Sequence, residues 1–166
     1  MGMSMPDFRA GERWWQQMVQ VMGRCGRGKR GGRMVIQTRM PDSPWLARFR
    51  ESEALAVLDE EASLRRQFAY PPFARWVRLL LQGRRRERVW QASEKLAEQV
   101  RGMPGCAVIG PMACPVERMQ GDYRVELLLR DPGRRCLPWR LRPMLEAFRP
   151  PSGVALKIDV DPVDMM

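Results

Sequence analysis

Gly121-Asp122-Tyr123-Arg124-Val125-Glu126-Leu127-Leu128-Leu129-Arg130 is the stretch on which the fold turns. Tyr123, Val125, Leu127 and Leu129 alternate with Arg124, Glu126 and Arg130, the two-residue period of a strand with one face buried. The pattern predicts a strand over 122–130 with the Tyr123 stripe as core and Arg124 on the exposed side of the sheet.

Working outward, Val77, Leu79 and Leu81 alternate with Trp76, Arg78 and Leu80 as a second strand. Residues 85–101 read as a charged amphipathic helix with Val89, Leu96 and Val100 inward. A strand running from Val108 to Val116 is interrupted by Pro111 and Pro115, which predicts a bent or edge position. Leu137, Leu141, Met144, Leu145 and Phe148 give another helix. Pro138 suits its first turn, whereas Pro143 is expected to kink or shorten it. Val154, Leu156, Ile158 and Val160 give the closing strand. The order strand, helix, strand, strand, helix, strand predicts an α+β domain of the split βαβ, ferredoxin-like kind, its antiparallel sheet covered on one face by two helices.

The first part of the chain reads differently. Trp15, Met18, Val19 and Met22 share one helical face, and Gly23 is expected to end that helix. Gly26 to Gly32 form a basic loop broken by glycines. Met34, Ile36 and Thr38 alternate with Arg33, Val35 and Gln37, the pattern of a short strand in a covered sheet. After the Pro41-Asp42-Ser43-Pro44 turn, Trp45 to Phe68 is expected as one helix with Leu46, Phe49, Leu55, Leu58 and Ala62 on or near one face. Tyr70-Pro71-Pro72-Phe73 cannot continue a helix. It is either a simple linker or a stereotyped hinge, and it divides the chain into 1–69 and 70–166.

Composition narrows the chemistry. The 166 residues carry a net charge of +10, divided as +4 over 1–69 and +6 over 70–166. That balance favours a polyanionic partner such as nucleic acid. The absence of histidine excludes histidine-based triads and Cys/His zinc sites. Cys25, Cys106, Cys114 and Cys136 have no C-x-x-C spacing. With no signal peptide and no long apolar run, a cytoplasmic setting with free thiols is expected. Asp159 and Asp161 on the closing strand read as structural, with Asp161 at an end-of-strand hydrogen-bonding position.

Gln20-Val21-Met22-Gly23-Arg24-Cys25-Gly26-Arg27 places two arginines three apart, each after a glycine. Alone, this is either a solvated basic loop or a phosphate clamp. Together with Asp7-Phe8-Arg9-Ala10-Gly11-Glu12-Arg13 before it and Gly31-Gly32-Arg33-Met34-Val35-Ile36-Gln37-Thr38 after it, it resembles the end of a superfamily 2 helicase motor. In particular it resembles the primosomal replication-restart helicase family. Tyr70-Pro71-Pro72-Phe73, the Gly-x-Tyr-Arg strand start at Gly121 and the closing Ile158-Asp159-Val160-Asp161-Pro162 extend that resemblance along the chain in order. Cys25 departs from it, standing where a small residue, usually alanine, is expected.

The resemblance implies that 1–69 is the final helix-strand-helix of a RecA-like lobe. It implies that 70–166 is a C-terminal domain resembling a ribosomal small-subunit protein. By the same resemblance Gln20, Gly23, Arg24 and Arg27 bind ATP, and Arg24 and Arg27 are catalytic, stabilising charge on the transferred phosphoryl group. DNA, forked or single-stranded, is the implied partner, along with the single-stranded-DNA-binding protein and other primosome components. The candidate DNA contacts are Lys29, Arg30, Arg84, Arg85, Arg124 and Arg134. Arg134 is also where an acidic tail of that protein is expected. Arg84-Arg85-Arg86 with Arg88 opens a helix, where cations oppose the dipole unless an anion is bound; a solvated charge run is the other reading.

The chain has no G-x-x-x-x-G-K-[ST] loop to cradle phosphates. ATP and Mg are therefore expected only in a complete motor, and this chain alone is expected to be inactive. The family's zinc is expected to find no ligands here. The alternative is a stand-alone basic nucleic-acid-binding module without catalysis.

Overall fold

The computed structural model describes residues 9–25, 32–51, 54–132 and 137–163. They form two compact units, one ending at Leu64 and the other beginning at Arg65. Among the described residues the chain is α+β, with five helices and a four-stranded antiparallel sheet.

The sheet lies wholly in the second unit. β1 (Ala74–Gly83), α4 (Arg86–Arg101), β2 (Ala107–Met119), β3 (Asp122–Pro132), α5 (Leu137–Ala147) and β4 (Val154–Val160) follow in the expected order. The strand order across the sheet is β2-β3-β1-β4. β1 pairs antiparallel with both β3 and β4, and β3 with β2. β1 and β2 therefore run parallel with β3 between them, joined through α4. β3 and β4 run parallel with β1 between them, joined through α5.

Hydrophobic burial fixes this register, because a slip of one residue would turn the apolar set of a strand away from the helices. Val77, Leu79 and Leu81 of β1 and Val125, Leu127 and Leu129 of β3 are essentially inaccessible. They pack with Val89, Leu96 and Val100 of α4 and with Leu137 and Leu141 of α5. Tyr123, expected in the same stripe, is only half-buried, and Arg118 lies over its ring.

Two glycines are required by close approach. A Cβ on Gly83 would meet the Gly153 carbonyl oxygen at 2.3 Å, where β1 and β4 begin to pair. Gly110 sits at φ +101 in a register shift between Ile109 and Met112, and a Cβ there would meet the Glu126 carbonyl oxygen at 2.8 Å. The prolines of β2 do accompany an edge strand with two register shifts.

Two expectations, on Pro143 and on Arg124, need correction in this unit. α5 is not cut short at Pro143 but runs on to Ala147. Pro143 is exposed, so only the bond to the Trp139 carbonyl is forgone while Leu137, Leu141 and Phe148 stay buried. The outward set of β1, Trp76, Arg78 and Leu80, is buried as well. Trp76 and Leu128 form a second small core with Ala74, supported by Tyr70 and Met112. Arg124 is not exposed but 6% accessible. On β4, by contrast, Ile158 and Val160 face the helix side yet are 51% and 43% exposed, because α5 lies over β1 and leaves the last strand uncovered.

The first unit comprises α1 (Ala10–Cys25), α2 (Pro44–Arg50) and most of α3 (Ala54–Gln67). Trp15, Phe49 and Val57 form its core, with Trp14, Met18, Met34, Ile36 and Trp45 against them. Trp15 meets Phe49 edge-on at 5.4 Å. Here too the structure departs from expectation. α1 continues through Gly23 to Cys25, since a helical glycine costs only about 1 kcal/mol and does not itself end a helix. Residues 33–38 form no strand: Met34 and Ile36 bury against the helices while Val35 is 83% exposed, and among the described residues of this unit no neighbouring strand takes up their backbone. The helix expected over 45–68 is two helices; Leu46 and Phe49 are buried as that face requires, while beyond them Val57 is buried and Leu58 exposed.

Candidate nucleic-acid interface

Positive charge gathers at three places, each set by a different element. In the first unit, Gln20, Gly23 and Arg24 occupy the exposed C-terminal half of α1. Arg24 stands in the last helical turn, where a cation suits the dipole, and among the described residues it makes no ion pair. An exposed guanidinium on a rigid helix fits contact with a phosphate. Arg27, Lys29, Arg30 and Arg134 lie outside the described residues.

The second place is the start of α4. Arg84 and Arg85 are exposed in the turn out of β1, and Arg85 caps the helix without a side-chain hydrogen bond. Arg88 Nη1 donates to the Ser152 carbonyl oxygen at 3.3 Å, which ties the helix to the turn before β4. Arg84, Arg85 and Arg88 line a cleft of about 510 Å³ beside Gly83 and Gly153, with Asp122 at its margin. Arg86 points elsewhere, its Nε donating to Glu117 at 2.8 Å. The expected run of four arginines thus resolves into three that converge and one that is paired. The cleft can take a phosphate group of a nucleic-acid backbone.

The third place is the outer face of the sheet. Arg78 Nε donates to Glu126 Oε2 at 2.6 Å, and both side chains are buried. Arg78 Nη2 lies 3.8 Å from Cys114 Sγ, and Arg124 Nη1 lies 3.8 Å from Met119 Sδ. Two guanidinium groups and one carboxylate are therefore buried together beneath the side chains of β2. Burial, then the nearby Glu126 carboxylate, pushes the Cys114 thiol up from its ordinary value, while Arg124 and Arg78 act the other way. Residue alternation reveals which side chains share a face, but not that edge-strand side chains fold over them.

The Arg78–Glu126 pair was missed by sequence reasoning. The register sets Arg78 opposite Leu128 and Leu80 opposite Glu126, so the pair is diagonal. Its one signal in the sequence is a charge in the middle of each of two apolar strands.

Cys106 packs toward the helix-side core while Cys114 lies on the outer face, and both are free thiols. Among the described residues no group of three or more Cys, Asp or Glu converges as a metal site. Asp161 also proves structural: Trp76 N donates to its Oδ1 at 3.1 Å, and its second oxygen pairs with Arg75. Among the described residues no helix is long and apolar enough to cross a membrane.

A family model described as the primosomal protein N C-terminal domain matches residues 66–163. The chain is 36% identical over 167 residues to replication restart protein PriA of Treponema pallidum (strain Nichols), which takes in 99% of this chain and 25% of that protein. It is 35% identical to the replication restart protein PriA of Haemophilus influenzae, with 96% of this chain and 22% of the relative covered. For that of Synechocystis the identity is 32%, with 96% and 19% covered. The chain thus spans a quarter or less of the length of these curated relatives.

Proposed function

The chain belongs to the primosomal protein N C-terminal domain family, and from that premise we propose that it is the C-terminal portion of an ATP-dependent DNA helicase acting in replication restart and primosome assembly. The observation that carries this reading is the reach of the similarity. The relatives align over 96–99% of the chain, so they take in the arginine-bearing α1 as well as the C-terminal sheet.

In this reading 1–69 is the end of a RecA-like lobe and 70–166 the C-terminal domain. Arg24 and Arg27, with Gln20 and Gly23, face the ATP cleft of the complete motor. ATP and Mg supply the phosphoryl transfer there; this chain's part is to bring guanidinium charge to the terminal phosphates. Arg24, exposed on the last turn of α1 and without an ion pair among the described residues, suits that part. The two interleaved βαβ connections support a ferredoxin-like assignment for the C-terminal domain. Its converging Arg84, Arg85 and Arg88 bind forked or single-stranded DNA by the backbone. Lys29, Arg30 and Arg134 are further contacts of the same reading, from which buried Arg124 is withdrawn, and the single-stranded-DNA-binding protein and other primosome components are its protein partners.

The test is complementation. The chain is mixed with the remaining motor segment of a relative, and DNA-stimulated ATP turnover is measured. Restored turnover that is lost on Arg27→Ala supports the reading, and no restoration by the intact chain rejects it.

A second reading is favoured by one specific observation: the whole principal core lies between Val77 and Leu156. A unit so complete suits a stand-alone nucleic-acid-binding module without catalysis. DNA binding without any complementation is its signature.

A further inference from the structure

Tyr70-Pro71-Pro72-Phe73 has the sequence of a linker or a hinge, yet the backbone around it is fastened on both sides. The end of α3 already lies in the second unit, which begins at Arg65. There the helix closes with a pair of bonds: Tyr70 N donates to the Arg65 carbonyl oxygen at 2.8 Å, and Ala69 N to that of Arg66 at 3.3 Å. Such a closure sets the residue after the helix in the left-handed region, a place that glycine usually takes. Here it is Ala69, at φ +52, where a Cβ is disfavoured. The sheet holds it there. Trp76 Nε1 donates to the Ala69 carbonyl oxygen at 2.8 Å, and Arg130 Nη1 donates to the Phe68 carbonyl oxygen at 3.0 Å. The Tyr70 ring packs on that of Trp76 with centroids 5.0 Å apart, against the small core of Ala74, Trp76 and Leu128. Beyond the prolines, Phe73 N donates back to the Tyr70 carbonyl oxygen at 2.9 Å. The Arg66 guanidinium lies over the Phe73 ring at 4.8 Å.

We propose that residues 65–73 are a strained clasp belonging to the C-terminal sheet, and that any bending between the two units takes place ahead of Arg65. A hinge residue must absorb a change of φ and ψ. The carbonyl groups of Phe68 and Ala69 are instead committed to side chains of β3 and β1. Opening the clasp breaks both bonds and separates Tyr70 from Trp76, each a loss on the outer face of the sheet. The left-handed alanine works the other way and favours release. A strained residue persists only where its surroundings over-determine it, and here Trp76 and Arg130 supply that hold. The joint is thus a latch, kept shut by two side chains of the sheet and opposed by its own backbone. In the motor reading, on which this consequence alone rests, a movement of α3 reaches the DNA-binding unit without slack.

The test is native-state hydrogen exchange on the full chain, comparing the Tyr70 amide with those of Leu79 and Leu127 in the central strands. In the unaltered chain the Tyr70 amide is expected to exchange roughly a hundredfold or more slowly than in an unstructured peptide, since two side-chain hydrogen bonds hold the clasp shut. Trp76→Phe keeps an aromatic ring but removes one donor, and Arg130→Ala removes the other. Each is expected to speed Tyr70 exchange roughly tenfold relative to Leu79 and Leu127. Ala69→Gly relieves the left-handed alanine and is expected to slow Tyr70 exchange about fivefold. The glycine variant gains stability, so a failure to fold cannot imitate its result. A Tyr70 amide that exchanges as in an unstructured peptide overturns the proposal. So does a glycine variant with unslowed exchange, or a loss of protection in the other two variants that merely follows Leu79 and Leu127. None of these outcomes turns on ATP hydrolysis or DNA binding, so the motor reading stands or falls separately.

Discussion

Asp161 and Trp76 hold each other by two hydrogen bonds: Trp76 N donates to Asp161 Oδ1 at 3.1 Å, and Asp161 N donates to the Trp76 carbonyl oxygen at 2.8 Å. The aspartate stands just past the end of β4 with φ +50, a conformation that Asp and Asn tolerate better than other side-chain-bearing residues. Its other oxygen pairs with Arg75. One residue thus closes the final strand onto the first strand of the sheet.

Asp161→Ala is therefore expected to lower unfolding stability by about 1–2 kcal/mol, through the lost acceptor and the poorer left-handed backbone. Asp161→Asn, which keeps an acceptor and tolerates the backbone, costs less. Urea unfolding followed by tryptophan fluorescence measures both. An alanine variant with the same midpoint as the unaltered chain would show that the clasp contributes nothing.

Glu126→Leu removes the carboxylate that neutralises buried Arg78 and is expected to cost about 3–5 kcal/mol. Replacing both partners, Arg78→Leu with Glu126→Leu, recovers most of that loss because Arg78 is no longer left as an unpaired buried charge. A double-mutant cycle in denaturant checks the coupling, and simple additivity of the two losses refutes it.

Burial holds the Cys114 thiol protonated in the native chain, with its pKa raised above the ordinary range. The unfolded chain therefore releases that proton first. The stability this confers is full below the unfolded thiol value of about 8.5 and is lost as pH rises through the raised native one. Cys106 is raised in the same direction, also chiefly by burial. Melting temperature is thus expected to fall above about pH 8.5, and less steeply in Cys114→Ala. Parallel slopes for the two proteins would contradict this.

For the cleft at the start of α4, Arg84→Ala, Arg85→Ala and Arg88→Ala should each weaken binding to forked or single-stranded DNA. Each should also reduce the steepness of the salt dependence by about 0.7–0.9 for every phosphate that the variant no longer neutralises. Fluorescence anisotropy at several salt concentrations reports both quantities. Arg86→Ala serves as the control, since Arg86 is engaged with Glu117. Weaker binding with an unaltered salt slope would mean that these arginines do not meet phosphates.

Much of the C-terminal sheet was legible because burial on its helix side follows a strict two-residue period. Val77, Leu79, Leu81, Val125, Leu127 and Leu129 behave as their alternation predicts. The other face was not legible, because Arg78, Arg124 and Glu126 look like solvent residues until Cys114, Met112 and Met119 of the edge strand are laid across them. In the first unit Met34 and Ile36 alternate as a strand does, yet they bury against helices with no strand beside them among the described residues. Alternation reports which side chains share a side, whereas a strand also needs a partner for its backbone. Of the candidate site, the arginines at 84 and 85 could be named from sequence. The separation of Arg86 from them could not, since Glu117 is 31 residues away along the chain.

The two rims of this sheet are not alike, and the difference sets a limit on assembly. Along β2, Pro111 and Pro115 remove backbone donors, and the displaced register at Gly110 bends the strand. That rim offers no continuous row of hydrogen-bonding groups to a newcomer. A fibre needs an adhesive end on each subunit in both directions, and this molecule has a smooth margin at only one. Edge-to-edge growth of this sheet therefore meets an interrupted rim on the β2 side.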